Sequence, residues 1–102
     1  MNALLNLHRL AVSDLCRRTH VRRLDAFGSV VRGDFNSATS DLDFLVEFEP
    51  LAPAEYANAY FDLKEGLETL FARPVDLLTE GSVVNPYFKA SVNLSRRPVY
   101  AG

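Results

Sequence analysis

Apolar residues recur along the chain at two periods, and the switching between them predicts an alternating order of helices and strands. Leu4, Leu7, Ala11 and Leu15 fall on one helical face, so residues 2 to about 18 read as an amphipathic helix. Leu24 to Phe27 is a short apolar run stopped by Gly28, which suits a strand. Ser29 to Arg32 reads as one helical turn ended by Gly33. Residues 34–40 are turn formers and are predicted to be loop. From Asp41 to Phe48 the apolar residues Leu42, Phe44, Val46 and Phe48 alternate, which predicts a strand with one apolar face. Ala54 to about Ala72 is a long helix with Tyr56, Tyr60, Leu63, Leu67 and Leu70 along one side. Pro74 breaks that pattern, and Val75 to Thr79 follows as a third strand. Residues 82–91 are weakly helical with Pro86 near the start, and Pro98 to Tyr100 reads as a short edge strand.

A length of 102 residues predicts one compact domain over 1–102, with no repeat or linker dividing it. The hydrophobic share of 48% and the charged share of 24% are those of a globular chain rather than a disordered one. A net charge of −2 argues against a protein built to coat nucleic acid. The basic cluster Arg17, Arg18, His20, Arg22 and Arg23 keeps a local contact with phosphate or nucleic acid open, beside the plainer reading of a solvated helix end. Cys16 is the single cysteine, so no internal disulfide forms, which suits a reducing compartment; a thiol buried in a helix is expected. His8, Arg9 and Asp14 interrupt the apolar start, which reads as neither a secretory leader nor a membrane span, so a cytoplasmic location is expected.

The candidate chemistry lies between Gly28 and Asp43, with a third piece at Asp76. Side chains two apart on a strand point the same way, so Asp41 and Asp43 present two carboxylates from one face. Like charges that close resist ionisation unless a cation joins them, and Mg²⁺ favours carboxylate and phosphate oxygen. A lone pair of this kind is more often a solvated strand face. Gly28-Ser29 closes the preceding strand in a bend where backbone amides and the Ser29 hydroxyl can meet anionic oxygens. Asp76, flanked by apolar strand residues, is either an exposed edge charge or an acid held by a cation. Asp25, Asp34 and Glu47 are rivals for such a role. Arg32 either neutralises a bound phosphate or ties the bend to a neighbouring carboxylate. A P-loop is excluded because Asp34-Phe35 stands where Lys and Ser or Thr are needed. A calcium loop is excluded because Leu45 and Val46 stand where a ligand and a glycine belong.

Phe27-Gly28-Ser29-Val30-Val31-Arg32-Gly33-Asp34, followed by Ser40-Asp41-Leu42-Asp43-Phe44-Leu45-Val46, resembles the signature of the polymerase-β-type nucleotidyltransferases, and most of all their minimal members. The resemblance implies an α+β, polymerase-β-like palm fold with a small mixed sheet of about three or four strands packed by helices. It implies that Asp41, Asp43 and Asp76 are catalytic carboxylates holding two Mg²⁺ ions, and that Gly28, Ser29 and Arg32 bind the nucleoside triphosphate, expected to be ATP. In-line transfer of a nucleoside monophosphate follows, with Asp76 placed to accept or orient the acceptor's proton. Many members of the family are antitoxins paired with a HEPN-domain toxin, and some add AMP to that partner. A HEPN-type protein acceptor and a homo- or hetero-oligomer are therefore implied, with no membrane partner. Val30 stands where many relatives carry Arg, which would remove a phosphate contact, and the loop from Ser29 to Asp41 is one residue longer than usual. An idle relative that neutralises a partner by binding alone, and a nucleic-acid-binding module using Arg17 to Arg23, are the alternative readings.

Overall fold

The computed structural model describes residues 3–33 and 41–102. The predicted loop at 34–40, with the rival acid Asp34 and the greater part of the long connection between Ser29 and Asp41, lies outside the described residues. Ten elements follow one another: α1 (Ala3–Leu7), α2 (Arg9–Arg18), β1 (Val21–Phe27), α3 (Ser29–Arg32), β2 (Leu42–Phe48), α4 (Pro53–Phe71), β3 (Val75–Thr79), a 3-10 turn (Glu80–Ser82), α5 (Pro86–Ser95) and β4 (Arg97–Ala101). The strands form one mixed sheet in the order β3-β2-β1-β4. β1 runs antiparallel to both β2 and β4, whereas β2 and β3 are parallel. A parallel pair needs a long crossover, and the 19-residue α4 supplies it.

The main core lies on one face of the sheet. Leu24 and Ala26 of β1 and Leu42, Phe44 and Val46 of β2 meet Val12, Leu15 and Cys16 of α2 and Leu63, Leu67 and Phe71 of α4. Leu63 and Leu67 have no exposed surface, and each contributes about 1.5–3 kcal/mol by leaving water. Tyr60 serves this packing too: it is half-buried and its hydroxyl donates to the Leu77 carbonyl at 2.6 Å. A second, smaller core lies on the opposite face. There Phe27 and Leu45 are covered by Val83 and by Val92 of α5.

Several expectations are corrected. The predicted helix from residue 2 to 18 is two helices divided at His8. Its buried positions are Leu5, Val12, Leu15 and Cys16, whereas Leu7 is 79% exposed. A leucine-rich helix offers more than one apolar stripe, and periodicity alone does not say which one meets the sheet. β1 starts three residues before Leu24, at Val21. β2 is apolar on both faces at its centre, because α5 covers Leu45 as the main core covers Phe44. α5 runs on to Ser95, past the predicted end at 91; Asn85 caps its start by accepting from the amides of Tyr87 and Phe88.

Candidate active site

β1 ends at Phe27 because the next residue takes a backbone conformation that only glycine holds cheaply. Gly28 has φ 76° and ψ −146°. A side chain is also excluded by space: a Cβ on Gly28 would stand 2.5 Å from Asp43 Oδ2. The Gly28 carbonyl accepts from the amides of Val31 (3.1 Å) and Arg32 (3.0 Å), which winds α3. Gly33, left-handed with φ 93°, ends it. The first turn of a helix leaves its leading amides without intrahelical partners, so those of Ser29 and Val30 remain for the bend to offer. The Gly28 amide is committed elsewhere: it donates to Ser95 Oγ at 3.1 Å. What Gly28 gives the cleft is therefore the absence of a side chain beside Asp43.

Sheet register places the acids. Asp43 is the partner of Phe27 on the antiparallel side and of Asp76 on the parallel side. Residues opposed in register point to the same face, so Asp43 and Asp76 stand side by side. Gly28, Ser29, Arg32, Asp41, Asp43 and Asp76 line one cleft of about 320 Å³, closed on its other side by Phe88, Ser91 and Ser95 of α5. Asp41 and Asp76 are exposed and Asp43 is half-buried. The Asp43 carboxyl is pushed up to about 6, chiefly by burial, then by the charges of Asp76 and Asp41, with Arg32 pulling the other way. Among the described residues, no Lys, Arg or His lies within ion-pair distance of these three carboxylates. Among the described residues, the cleft thus gathers three carboxylates whose charge Arg32 offsets only from a distance.

That donor set fits a hard divalent cation. Among the described residues no three His, Cys, Asp or Glu side chains close into a ready-made metal cage. Mg²⁺ is seldom held by a full protein cage; it takes one or two carboxylates together with substrate phosphate oxygens. A larger hollow of about 540 Å³ lies between α2 and α4, around Leu15 and Gly66. Its acids include Asp14, already paired with Arg18 at 2.9 Å, and it lacks a glycine bend facing clustered carboxylates. The clustered carboxylates and the glycine bend lie together at the smaller cleft.

The other sequence candidates fall outside it. Asp25 is fully buried and ion-paired with Arg96 (2.7 Å) and Arg23 (3.0 Å). Glu47, at the far end of β2, pairs with Arg22 at 3.4 Å. Val30 is 3% exposed, and its side chain belongs to the main core rather than to the cleft lining. Arg17 and Arg18 face Asp14, Arg22 faces Glu47 and Glu49, and Arg23 faces Asp25, so the basic cluster is largely neutralised in place. Cys16 is buried and its thiol is pushed up to about 12 by that burial, which suits a core residue and not a nucleophile. Sequence reasoning missed the α5 wall. Phe88, Val92 and Ser95 share a stripe at helical spacing, and a small polar residue on an apolar stripe is the local signal that could have drawn attention to Ser95.

A glycine-serine bend facing in-register carboxylates on a small mixed sheet is the architecture of a nucleotidyltransferase. The model of the family described as "Nucleotidyltransferase domain" matches residues 8–99, and the chain belongs to that family of enzymes. A Methanocaldococcus jannaschii protein provisionally named as a protein adenylyltransferase is 34% identical over 89 residues, covering 87% of this chain and 84% of its own length. A solved structure provisionally described as a minimal nucleotidyltransferase superposes with TM-score 0.75 at 35% identity, covering 96% of each chain. The fold, though little of the sequence, is also shared with a chain from the complex of tri-AMPylated Shewanella oneidensis HEPN toxin with MNT antitoxin. There the TM-score is 0.63 at 19% identity, over 96% of this chain and 73% of the other. Among the described residues no helix is long and apolar enough to cross a membrane.

Proposed function

We propose that residues 1–102 act as one minimal nucleotidyltransferase domain that moves AMP from ATP to a protein acceptor, and that the acceptor is a HEPN-type toxin which this chain holds in check. The observation that carries the reading is the register match of Asp43 with Asp76 beside the Gly28-Ser29 bend, in a cleft whose carboxylates have no cationic partner among the described residues. The names of the similar proteins supply the acceptor class.

Asp41, Asp43 and Asp76 would hold two Mg²⁺ ions in this reading, and the chemistry so supplied would be neutralisation of triphosphate charge at the point of attack. The Ser29 hydroxyl and the amides of Ser29 and Val30 grip the leaving phosphates, and Gly28 keeps the approach to Asp43 open. Arg32 adds positive charge at the rim. Asp76, on the exposed edge strand, accepts or orients the proton of the incoming hydroxyl. Positioning and charge neutralisation supply most of the acceleration, as in other phosphoryl transfers.

The test is to incubate the purified chain with Mg-ATP and a HEPN-type protein encoded beside it, then weigh that protein by mass spectrometry. One or more added adenylyl groups, absent with Asp43→Asn, are expected. Mg-ATP binding without any adenylylation, together with full neutralisation of the toxin, would move the assignment to an idle binding protein.

A further inference from the structure

The back of the cleft is closed by a contact that the transfer chemistry does not use. Ala26 pairs with Arg97 at the start of β4, and continuing that antiparallel register by two residues brings Gly28 opposite Ser95. At that point the chain is the last turn of α5 rather than a strand, so no ladder carbonyl is available. Ser95 Oγ takes its place and accepts the Gly28 amide at 3.1 Å. Ser95 is only 8% exposed, and its hydroxyl faces the Ser91 and Val92 carbonyls at 3.4 Å, which orients its proton away from Gly28. The next residue is anchored separately. Arg96 donates to the fully buried Asp25 at 2.7 Å and to Glu80 at 2.5 Å. Two consecutive residues at the end of α5 therefore fasten β1: one to its buried carboxylate, the other to the bend that follows it.

That bend has little slack. The Gly28 carbonyl is held by α3, its amide by Ser95, and a Cβ added to it would meet the Asp43 carboxylate. A shift of the bend changes the space around Asp43 directly.

We propose that Ser95 is a positioning residue for nucleotidyl transfer, whose hydroxyl sets the Gly28-Ser29 bend against Asp43 from a helix end anchored by Arg96 and Asp25. The inference rests on the nucleotide reading of the cleft. A residue that merely stabilised α5 would change melting without changing nucleotide affinity; a positioning residue changes nucleotide affinity together with exchange of the Gly28 amide.

The experiment uses the full chain, ¹⁵N-labelled, with Mg-ATP as the probe. Ser95→Ala is expected to speed hydrogen exchange of the Gly28 amide by roughly tenfold and to weaken Mg-ATP binding by about fivefold. Ser95→Thr, which keeps the oxygen, restores both. Unchanged Gly28 exchange, or unchanged Mg-ATP affinity in Ser95→Ala when wild type binds, overturns the proposal. A wild-type chain that takes up no Mg-ATP refutes the nucleotide reading and the inference with it; that failure is distinguishable because it occurs before any substitution.

Discussion

Two groups of acidic residues lie on the same face of the same sheet and differ in how their charge is met. Asp25 on β1 is fully buried and carries its own counter-ions, Arg96 and Arg23. Asp43, on the neighbouring strand, is only half-buried, and the charges of Asp41 and Asp76 crowd it while Arg32 opposes them; among the described residues no cation lies within ion-pair distance of it. A buried charge that serves structure arrives with its partner, because an unpaired one costs several kcal/mol. The proposed function has the Asp43 charge completed by a bound cation instead. The two sets are tied through one helix end, where Arg96 neutralises Asp25 and Ser95 holds the bend beside Asp43.

The comparison can be broken most directly by exchanging each acid for its amide. Asp43→Asn is expected to remove transfer activity below detection while the fold persists, measured by adenylyl incorporation and circular dichroism. Asp25→Asn is expected to do the reverse, lowering unfolding free energy by about 3–5 kcal/mol in urea because Arg96 loses its buried partner. A silent Asp25→Asn or an unfolded Asp43→Asn would dissolve the distinction.

Gly28→Ala tests the shared boundary. Its positive φ alone costs about 1–3 kcal/mol, and the added methyl meets Asp43 Oδ2. Stability and Mg-ATP affinity should therefore fall together, read by melting and calorimetry.

The pH dependence follows from Asp43. Its carboxyl is raised from 3.8 to about 6 in the folded chain, so between those values the native state holds a proton that the unfolded state has released. The contribution of Asp43 to stability is thus greatest below about pH 4 and is lost as pH rises through about 6. The Tm of the metal-free protein, measured relative to Asp43→Asn, should decline between pH 4 and pH 7; a rise would contradict the burial of that carboxyl beside like charges. The smallest effect is expected at the exposed pairs of Arg17 and Arg18 with Asp14. Removing either arginine should change stability by no more than about 0.5 kcal/mol and leave Mg-ATP binding unaltered. Salt-sensitive RNA or DNA binding lost in those variants would revive the nucleic-acid reading.

Much of this was legible in the residues. The alternation of Leu42, Phe44, Val46 and Phe48 marked β2, and the helical spacing of Leu63 and Leu67 marked α4. The shared face of Asp41 and Asp43 and the tight bend at Gly28-Ser29 were legible because strand period and glycine's freedom are properties of adjacent residues. By contrast, the break at His8 and the choice of Leu5 over Leu7 for the core were not legible, since both stripes fit a helix and only the sheet beneath selects one.

The chain's own order of residues determined which segments are strands and helices, and which of them carry acids and a tight bend, because such preferences act over a few positions. Folding decided which acid meets a cation and which meets its like. Asp25 finds Arg96 across 71 positions, and Gly28 finds Ser95 across 67. Pairings of that range depend on strand order and register, which no local pattern encodes.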